Sequence, residues 1–302
     1  MFLQHGNSQI QWEIKFMKMI DSIDFVTVAY KRLDYVKLIH ESIKKYVDHP
    51  YTYYIVNNGN NADNSPELLE LYDMFKDEPN VKVVKGVQQV NDDDGNIVPA
   101  REDGMHGKYS QQYFIDNYGF DGYSKYDQRE LGFASWLQSE GMTIGVKQGN
   151  GKYICHIEHD CIFLNTWVNE LLPKLKDNVF ISYQWRHDID QALTPQFGLM
   201  ERETIENNYF REEGDLYPNC HYKDTYGLIS LWARETNKPF YICKNSTEDI
   251  SLRAHHVLNI HGDEGFINEK PFIHHAGRGA ARTDDYYHNW ITEVSQYLDI
   301  TI

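Results

Sequence analysis

No stretch of this 302-residue sequence approaches the ~20 consecutive apolar residues of a membrane-spanning helix. Residues 1–20, MFLQHGNSQIQWEIKFMKMI, lack the basic start, apolar centre and small-residue cleavage site of a secretory leader, so a cytoplasmic chain is expected. Cysteine is scarce. Cys155, Cys161, Cys220 and Cys243 form no C-x-x-C pair, which argues against a zinc cluster or a disulfide framework and fits a reducing compartment. Positive charge is short as well: 29 Lys and Arg face 45 Asp and Glu, for a formal charge of -16. Long-range repulsion then disfavours nucleic acid and anionic membrane as partners, and an anionic ligand needs a cation or a local basic patch. No HExxH string is present, which removes the commonest local ligand set of a metal-dependent hydrolase, and no internal repeat is visible.

What is present reads as globular. At 41% hydrophobic and 25% charged residues the chain can bury a full core, and a single domain over 1–302 is expected. DFVTVAY at 24–30, YTYYIVNN at 51–58 and VKVVKG at 81–86 are short β-branched and aromatic runs, the pattern of buried strands. Helical spacing separates them: Val36, Ile39, Ile43 and Val47 recur along one face, and Ser65 with Pro66 opens a second helix as cap and first residue. This βαβαβ alternation predicts a largely parallel sheet. It resumes with a strand through Ile157, a helix over NTWVNELLPKL (165–175) with a kink at Pro173, and a strand at 178–185. Residues 1–20 are expected to be a helical lead-in. Residues 87–133 are too polar for a core and longer than ordinary connections, and read equally as surface decoration or as a tyrosine-bearing lid that sets acceptor specificity. In the last part, 196–302, DTYGLISLWARETNK reads as helix, PFYICKNS as strand, and YYHNWITEVSQYL as a closing helix with Trp290, Ile291, Val294, Tyr297 and Leu298 on its buried stripe.

The most informative stretch is GKYICHIEHDCIF, 151–163. If the strand continues through it, period-two alternation places Glu158 and Asp160 on one face and His159 on the other. Two carboxylates so placed can grip one cation, although an acid-x-acid triplet also suits a solvated strand end. Its position adds weight. YKR follows the first strand, NNGN the second and EHD the fourth, and in open α/β sheets ligands bind beyond the carboxyl ends of the strands. The 22 Tyr and 6 Trp offer the flat faces with polar edges that carbohydrate sites use, and that cores use equally.

On these motifs the sequence resembles the GT-A glycosyltransferases, especially the family-two nucleotide-sugar transferases, over residues 24–86 and 134–185. DFVTVAYKR looks like the family's first strand, YIVNNGN like its VVDNGS turn, and GVKQGNGKYICHIEHD like the helix and strand that lead into its DxD metal motif. The resemblance implies an α/β GT-A fold with a mostly parallel sheet. It also implies transfer of a sugar, with inversion, from a nucleotide-sugar donor to a glycan or other hydroxyl acceptor, with Mn²⁺ or Mg²⁺ held at Glu158 and Asp160. Glu158 stands where the family usually has Asp, and Asn57 where many members carry a base-recognising Asp, which leaves the base open. Thr27, Ala29, Tyr30, Arg32, Asn57 and His159 are expected on the nucleotide-sugar side, with Lys31 and Arg32 equally readable as solvated loop cations. The family's catalytic base begins a helix followed by a strand, a place Asp224 occupies, though Asp is also a favoured cap. Asp249 in STEDISLR is the second candidate. A C-terminal histidine completes the metal site in the family, and RAHHVLNIHGDEG offers His261 while KPFIHHAGRGAAR offers His275, the latter beside Arg278, whose guanidinium suits phosphate oxygens. The alternatives are a sugar nucleotidyltransferase of the same fold, for which the glycine-rich loop near the first strand is missing, and a glycan-binding module without catalysis.

Overall fold

The structure, a computed structural model, describes residues 19–58, 66–86, 88–91, 97–100, 138, 141–183, 185–186, 192–193, 196–204, 233, 236–277 and 283–301. The first strand, β1 (Ile20–Ala29), is buried from residue 22 to its end, so both of its faces are covered and it sits centrally. Ile23 and Phe25 point to one side, where α1 (Leu33–Tyr46) lays down Val36, Ile39 and Ile43, while Val26 and Val28 point to the other. β2 (Tyr51–Asn57), α2 (Pro66–Met74) and β3 (Val81–Lys85) complete the expected βαβαβ unit, and both strand pairs are parallel. A hairpin of β4 (Gln88–Asn91) and β5 (Ile97–Ala100) follows.

A helix over 141–148, α3, covers the second face of the sheet. Gly141 and Gly145 lie against the sheet, and a Cβ on Gly145 would stand 2.6 Å from Val26, so the helix can approach this closely only without side chains there. β6 (Gly151–Ile157) then runs parallel to β1, and β7 (Cys161–Phe163) leaves the sheet. The expected helix at 165–175 is a short α4 (Val168–Leu171) that tightens into a 3-10 turn at Leu172–Lys176, with Pro173 at the change. β8 (Phe180–Ser182) is shorter than the expected 178–185 run, and β9 (Trp185–Arg186) pairs with β10 (Ala192–Leu193) apart from it. β11 (Phe197–Glu201) returns between β6 and β8, antiparallel to both, and β12 (Phe240–Ile242) lies parallel to β8. The large sheet is therefore seven-stranded, in the order β12-β8-β11-β6-β1-β2-β3, with one reversed strand.

A second sheet of four antiparallel strands, in the order β13-β14-β15-β7, is built from β13 (Lys244–Asn245), β14 (Asp263–Ile267), β15 (Lys270–His275) and the departing β7. The closing helix, α5 (Asp284–Leu298), packs Trp290, Val294 and Leu298 against Tyr35 and Leu38 of α1 and Ile162 of β7, with Ile291 and Tyr297 only partly covered. Thr283 caps it by accepting from the Tyr286 amide, Asp284 and Asp285 face the positive end of its dipole, and Lys45 donates to the Leu298 carbonyl at 3.0 Å at the far end. Among the described residues no helix is long and apolar enough to cross a membrane.

Candidate metal centre

The EHD stretch is a turn. β6 ends at Ile157, and the Cys161 amide donates to the Glu158 carbonyl at 3.2 Å, closing a four-residue turn before β7 begins. The expected strand alternation therefore does not apply to Glu158, His159 and Asp160: the chain must change sheets here, and an extended ladder cannot bend that sharply. The convergence of the two carboxylates survives for another reason. β15 pairs antiparallel with β7 so that His275 stands opposite Cys161, and the Ala276 amide donates to the Asp160 carbonyl at 2.9 Å. His275 Nε2 is thereby brought to 3.5 Å from Asp160 Oδ2 and 3.6 Å from Glu158 Oε2. One donor atom from each of Glu158, Asp160, Cys161 and His275 lies within 4.8 Å of the others.

These side chains are poorly solvated, at 4% exposure for Asp160, 12% for His275 and 17% for Glu158. Gln138 Nε2 donates to the second Glu158 oxygen at 3.1 Å and holds the carboxylate in place. The fully buried Tyr183 ring meets His275 in an edge-to-face contact with centroids 6.5 Å apart. Two carboxylates crowded together repel one another, and a divalent cation between them would reverse the sign of that interaction. Oxygen donors with one imidazole suit Mn²⁺ or Mg²⁺ by chemistry. Cys161 is the odd member: burial, and then the neighbouring Asp160 and Glu158 charges, push its thiol well above the ordinary range, so it stands beside the oxygens as a neutral group.

Ala29 and Asn57 end two adjacent parallel strands, opposite one another in register, and Thr27 lies two residues before the end of β1. Thr27 is fully buried and its hydroxyl donates to the Ile157 carbonyl at 3.0 Å, so it braces the start of the acid turn. The Ala29 carbonyl accepts from the Asn58 amide at 3.0 Å, the Asn57 carbonyl accepts from Gly86 at 3.0 Å, and both asparagine side chains are buried. Tyr30 is half-buried with the Lys31 ammonium 5.1 Å from its ring centre. Lys31 and Arg32 have φ of 59° and 46°, the left-handed region that non-glycine residues rarely enter. Arg32 stacks on Tyr287 at 4.7 Å and pairs with Asp284 at 3.2 Å. His159 and Tyr35 meet edge to face with ring centres 5.9 Å apart, and burial holds the imidazole below its usual range despite the Asp160 charge.

Asp249 caps the 3-10 turn Ile250–His255, accepting from the Ser251 amide and hydroxyl. It is exposed, and the bonds from Ser251 hold its carboxyl below the ordinary range, the direction that weakens a base. His261 is exposed and its carbonyl accepts from the Tyr286 hydroxyl, while its ring is not in the carboxylate group. Asp224 and Arg278 lie outside the described residues. Sequence reasoning did not single out Gln138, Tyr183, Asp284 or Tyr287. Only the last two carried a signal, as an acidic first turn and an aromatic pair opening the closing helix.

No protein-family model matches the chain, and no curated protein matches it in sequence. Among solved structures it is similar to TarS of S. aureus, with 10% identity over 69% of this chain and 56% of that one, at a TM-score of 0.39. It is similar also to the glycosyltransferase GlyE of Streptococcus pneumoniae, with 9% identity over 91% of this chain and 62% of that one, at a TM-score of 0.42. A mannosyltransferase of Pyrobaculum calidifontis, solved with GDP-Man and Mn²⁺, shares 9% identity over 66% of this chain and 50% of that one, at a TM-score of 0.36.

Proposed function

We propose that this chain is a metal-dependent glycosyltransferase that moves a sugar from a nucleoside-diphosphate donor to a hydroxyl acceptor, with inversion. The observation that carries the reading is the meeting of Glu158, Asp160 and His275 within 4.8 Å, at the carboxyl end of a central parallel strand. That is where an open α/β sheet presents ligands. In this reading the three residues hold Mn²⁺ or Mg²⁺, which when bound supplies Lewis-acid stabilisation of the charge that builds on the departing diphosphate. Arg32 and Arg278 contribute fixed positive charge to the phosphates, the more needed in a chain of net charge -16. Tyr30, Asn57 and His159 form the donor side, and Thr27 and Ala29 shape its floor. Asp224 takes the proton of the acceptor hydroxyl as its oxygen attacks the sugar carbon.

The test is a thermal-shift panel of nucleotide sugars with MnCl₂ or with EDTA, followed by assay of metal-dependent sugar-nucleotide hydrolysis. A donor that raises the melting temperature only with the metal, and is then hydrolysed, is the expected result. Failure of every nucleotide sugar to stabilise the protein in MnCl₂ would refute the proposal, and binding without hydrolysis or transfer would leave a binding module.

A further inference from the structure

Arg32 is held unlike an ordinary surface arginine. Two consecutive left-handed residues, Lys31 and Arg32, turn the chain out of β1, a backbone that gathers at ligand-binding turns. The guanidinium is set by the ring of Tyr287, 4.7 Å away, and that tyrosine is itself fixed by a hydrogen bond to Asp34 and by the Tyr35 ring at 5.2 Å. Against this anchored cation stands Asp284, paired at 3.2 Å, yet the arginine side chain is 16% exposed and the aspartate 86%. A carboxylate left almost wholly in water holds a guanidinium weakly.

The pair is tied to the carboxylate turn through bonded neighbours. The one hydroxyl proton of Tyr286, beside Tyr287, is shared between the carbonyls of His261 and Ala276, the latter at 2.9 Å; the Ala276 amide donates to the Asp160 carbonyl at 2.9 Å, and Ala276 follows His275 in the chain. Tyr35, packed on Tyr287, also meets the His159 ring. A permanent cation, a replaceable acid and the Glu158–Asp160–His275 group thus belong to one connected body.

We infer that Arg32 binds a phosphate of the donor diphosphate and that Asp284 is its stand-in, released to water when the donor arrives; the inference rests on the nucleotide-diphosphate reading above. A phosphate offers the guanidinium fork two parallel bonds and more charge than one exposed carboxylate, so exchange favours the donor. Tyr287 keeps the guanidinium plane in place through the exchange.

Calorimetric titration of the full chain in MnCl₂ with UDP, GDP, CDP and ADP tests this. For whichever nucleotide binds, Asp284→Asn is expected to tighten affinity about two- to fivefold by removing the competitor. Arg32→Ala is expected to weaken it about 10- to 100-fold, the loss of a charged hydrogen-bonding partner. Asp285→Asn, the same charge removed from the same helix turn, is the control and leaves affinity unchanged. In the Arg32→Ala background, adding Asp284→Asn changes nothing further. Equal tightening by Asp284→Asn and Asp285→Asn would reduce the effect to long-range charge and overturn the inference. So would unchanged affinity in Asp284→Asn with a lowered melting temperature, the mark of a structural latch. Donor binding by the native chain without the Asp284 response removes this inference alone, whereas no binding of any of the four nucleotides removes the donor reading and this inference with it.

Discussion

Asp160→Asn separates a metal ligand from a structural acid, because the two roles predict opposite effects on the metal-free protein. Asp160 is 4% exposed and its Oδ2 lies 3.5 Å from His275 Nε2, with Glu158 at 3.6 Å from the same nitrogen. The asparagine keeps the size of the side chain and removes one negative charge from a place where two carboxylates crowd together. Without metal the variant should melt at the native temperature or slightly above it, since like-charge repulsion is relieved. With metal the order reverses. Removing one partner from a buried set of charges costs about 3–5 kcal/mol, or roughly 10²- to 10⁴-fold in affinity for Mn²⁺. At an ion concentration of about 100 times the native Kd, binding adds ~2.7 kcal/mol to native stability. For a chain of 302 residues that is a rise in melting temperature of about 4 °C. Differential scanning fluorimetry of both proteins across a MnCl₂ series should show that rise in the native chain and none in the variant. A variant that melts lower without metal and still responds to Mn²⁺ would refute the argument, for Asp160 would then be holding the turn and not an ion.

Three further perturbations have expected outcomes. His275→Ala should weaken Mn²⁺ binding by at least tenfold in calorimetry while His261→Ala leaves it unchanged; the reverse would move the histidine ligand to the exposed NIHGDEG segment. Asp224→Asn should lower kcat by roughly 10²- to 10⁴-fold with donor affinity intact, whereas Asp249→Asn, at an exposed cap, should keep turnover within a few-fold; loss of turnover in Asp249→Asn alone would transfer the role of base. His40, buried between the rings of Tyr53 and Phe75, is held below its ordinary value of 6.5 chiefly by burial. The unfolded chain therefore takes up its proton first, and stability is full above that pH and falls as the pH drops through and below it. Melting curves from pH 7.5 to 5 should flatten in His40→Phe relative to the native chain, and an unchanged slope would count against that assignment.

What the sequence disclosed depended on how local the cause was. β1, α1, β2, α2 and β3 were legible because each carries its own period, and the place of Glu158 and Asp160 just past β6 was legible because both acids close one apolar run. The turn at Glu158–Cys161 was not, since the letters EHDC continue a strand as readily as they end one. The second sheet was hidden for a stronger reason. β7 has only three residues, and its partner β15 begins more than a hundred residues later, so no local pattern specifies that pairing. Asp284 reaches Arg32 across a separation of 252 residues, and an acid in a first helical turn already has a sufficient local explanation in the helix dipole.

The seam between the two sheets explains how Glu158 and Asp160 come to be held together with little water around them. The Glu158 amide donates to the Gln196 carbonyl on the β11 side at 3.1 Å, whereas the Asp160 carbonyl accepts from Ala276 on the β15 side. The turn between them is clamped by both ladders, so the two carboxylates and His275 are set in relation to one another by main-chain bonds and not by their own attraction. Such positioning would spare the proposed ion the entropic cost of ordering its donor atoms. The same three letters at a free strand end would have neither clamp nor facing histidine, and their carboxylates would turn outward into water. The meeting of these three side chains is therefore a property of where β6 changes sheets, and in the proposed reading a substitution that slides β15 along β7 should weaken Mn²⁺ binding as surely as Asp160→Asn.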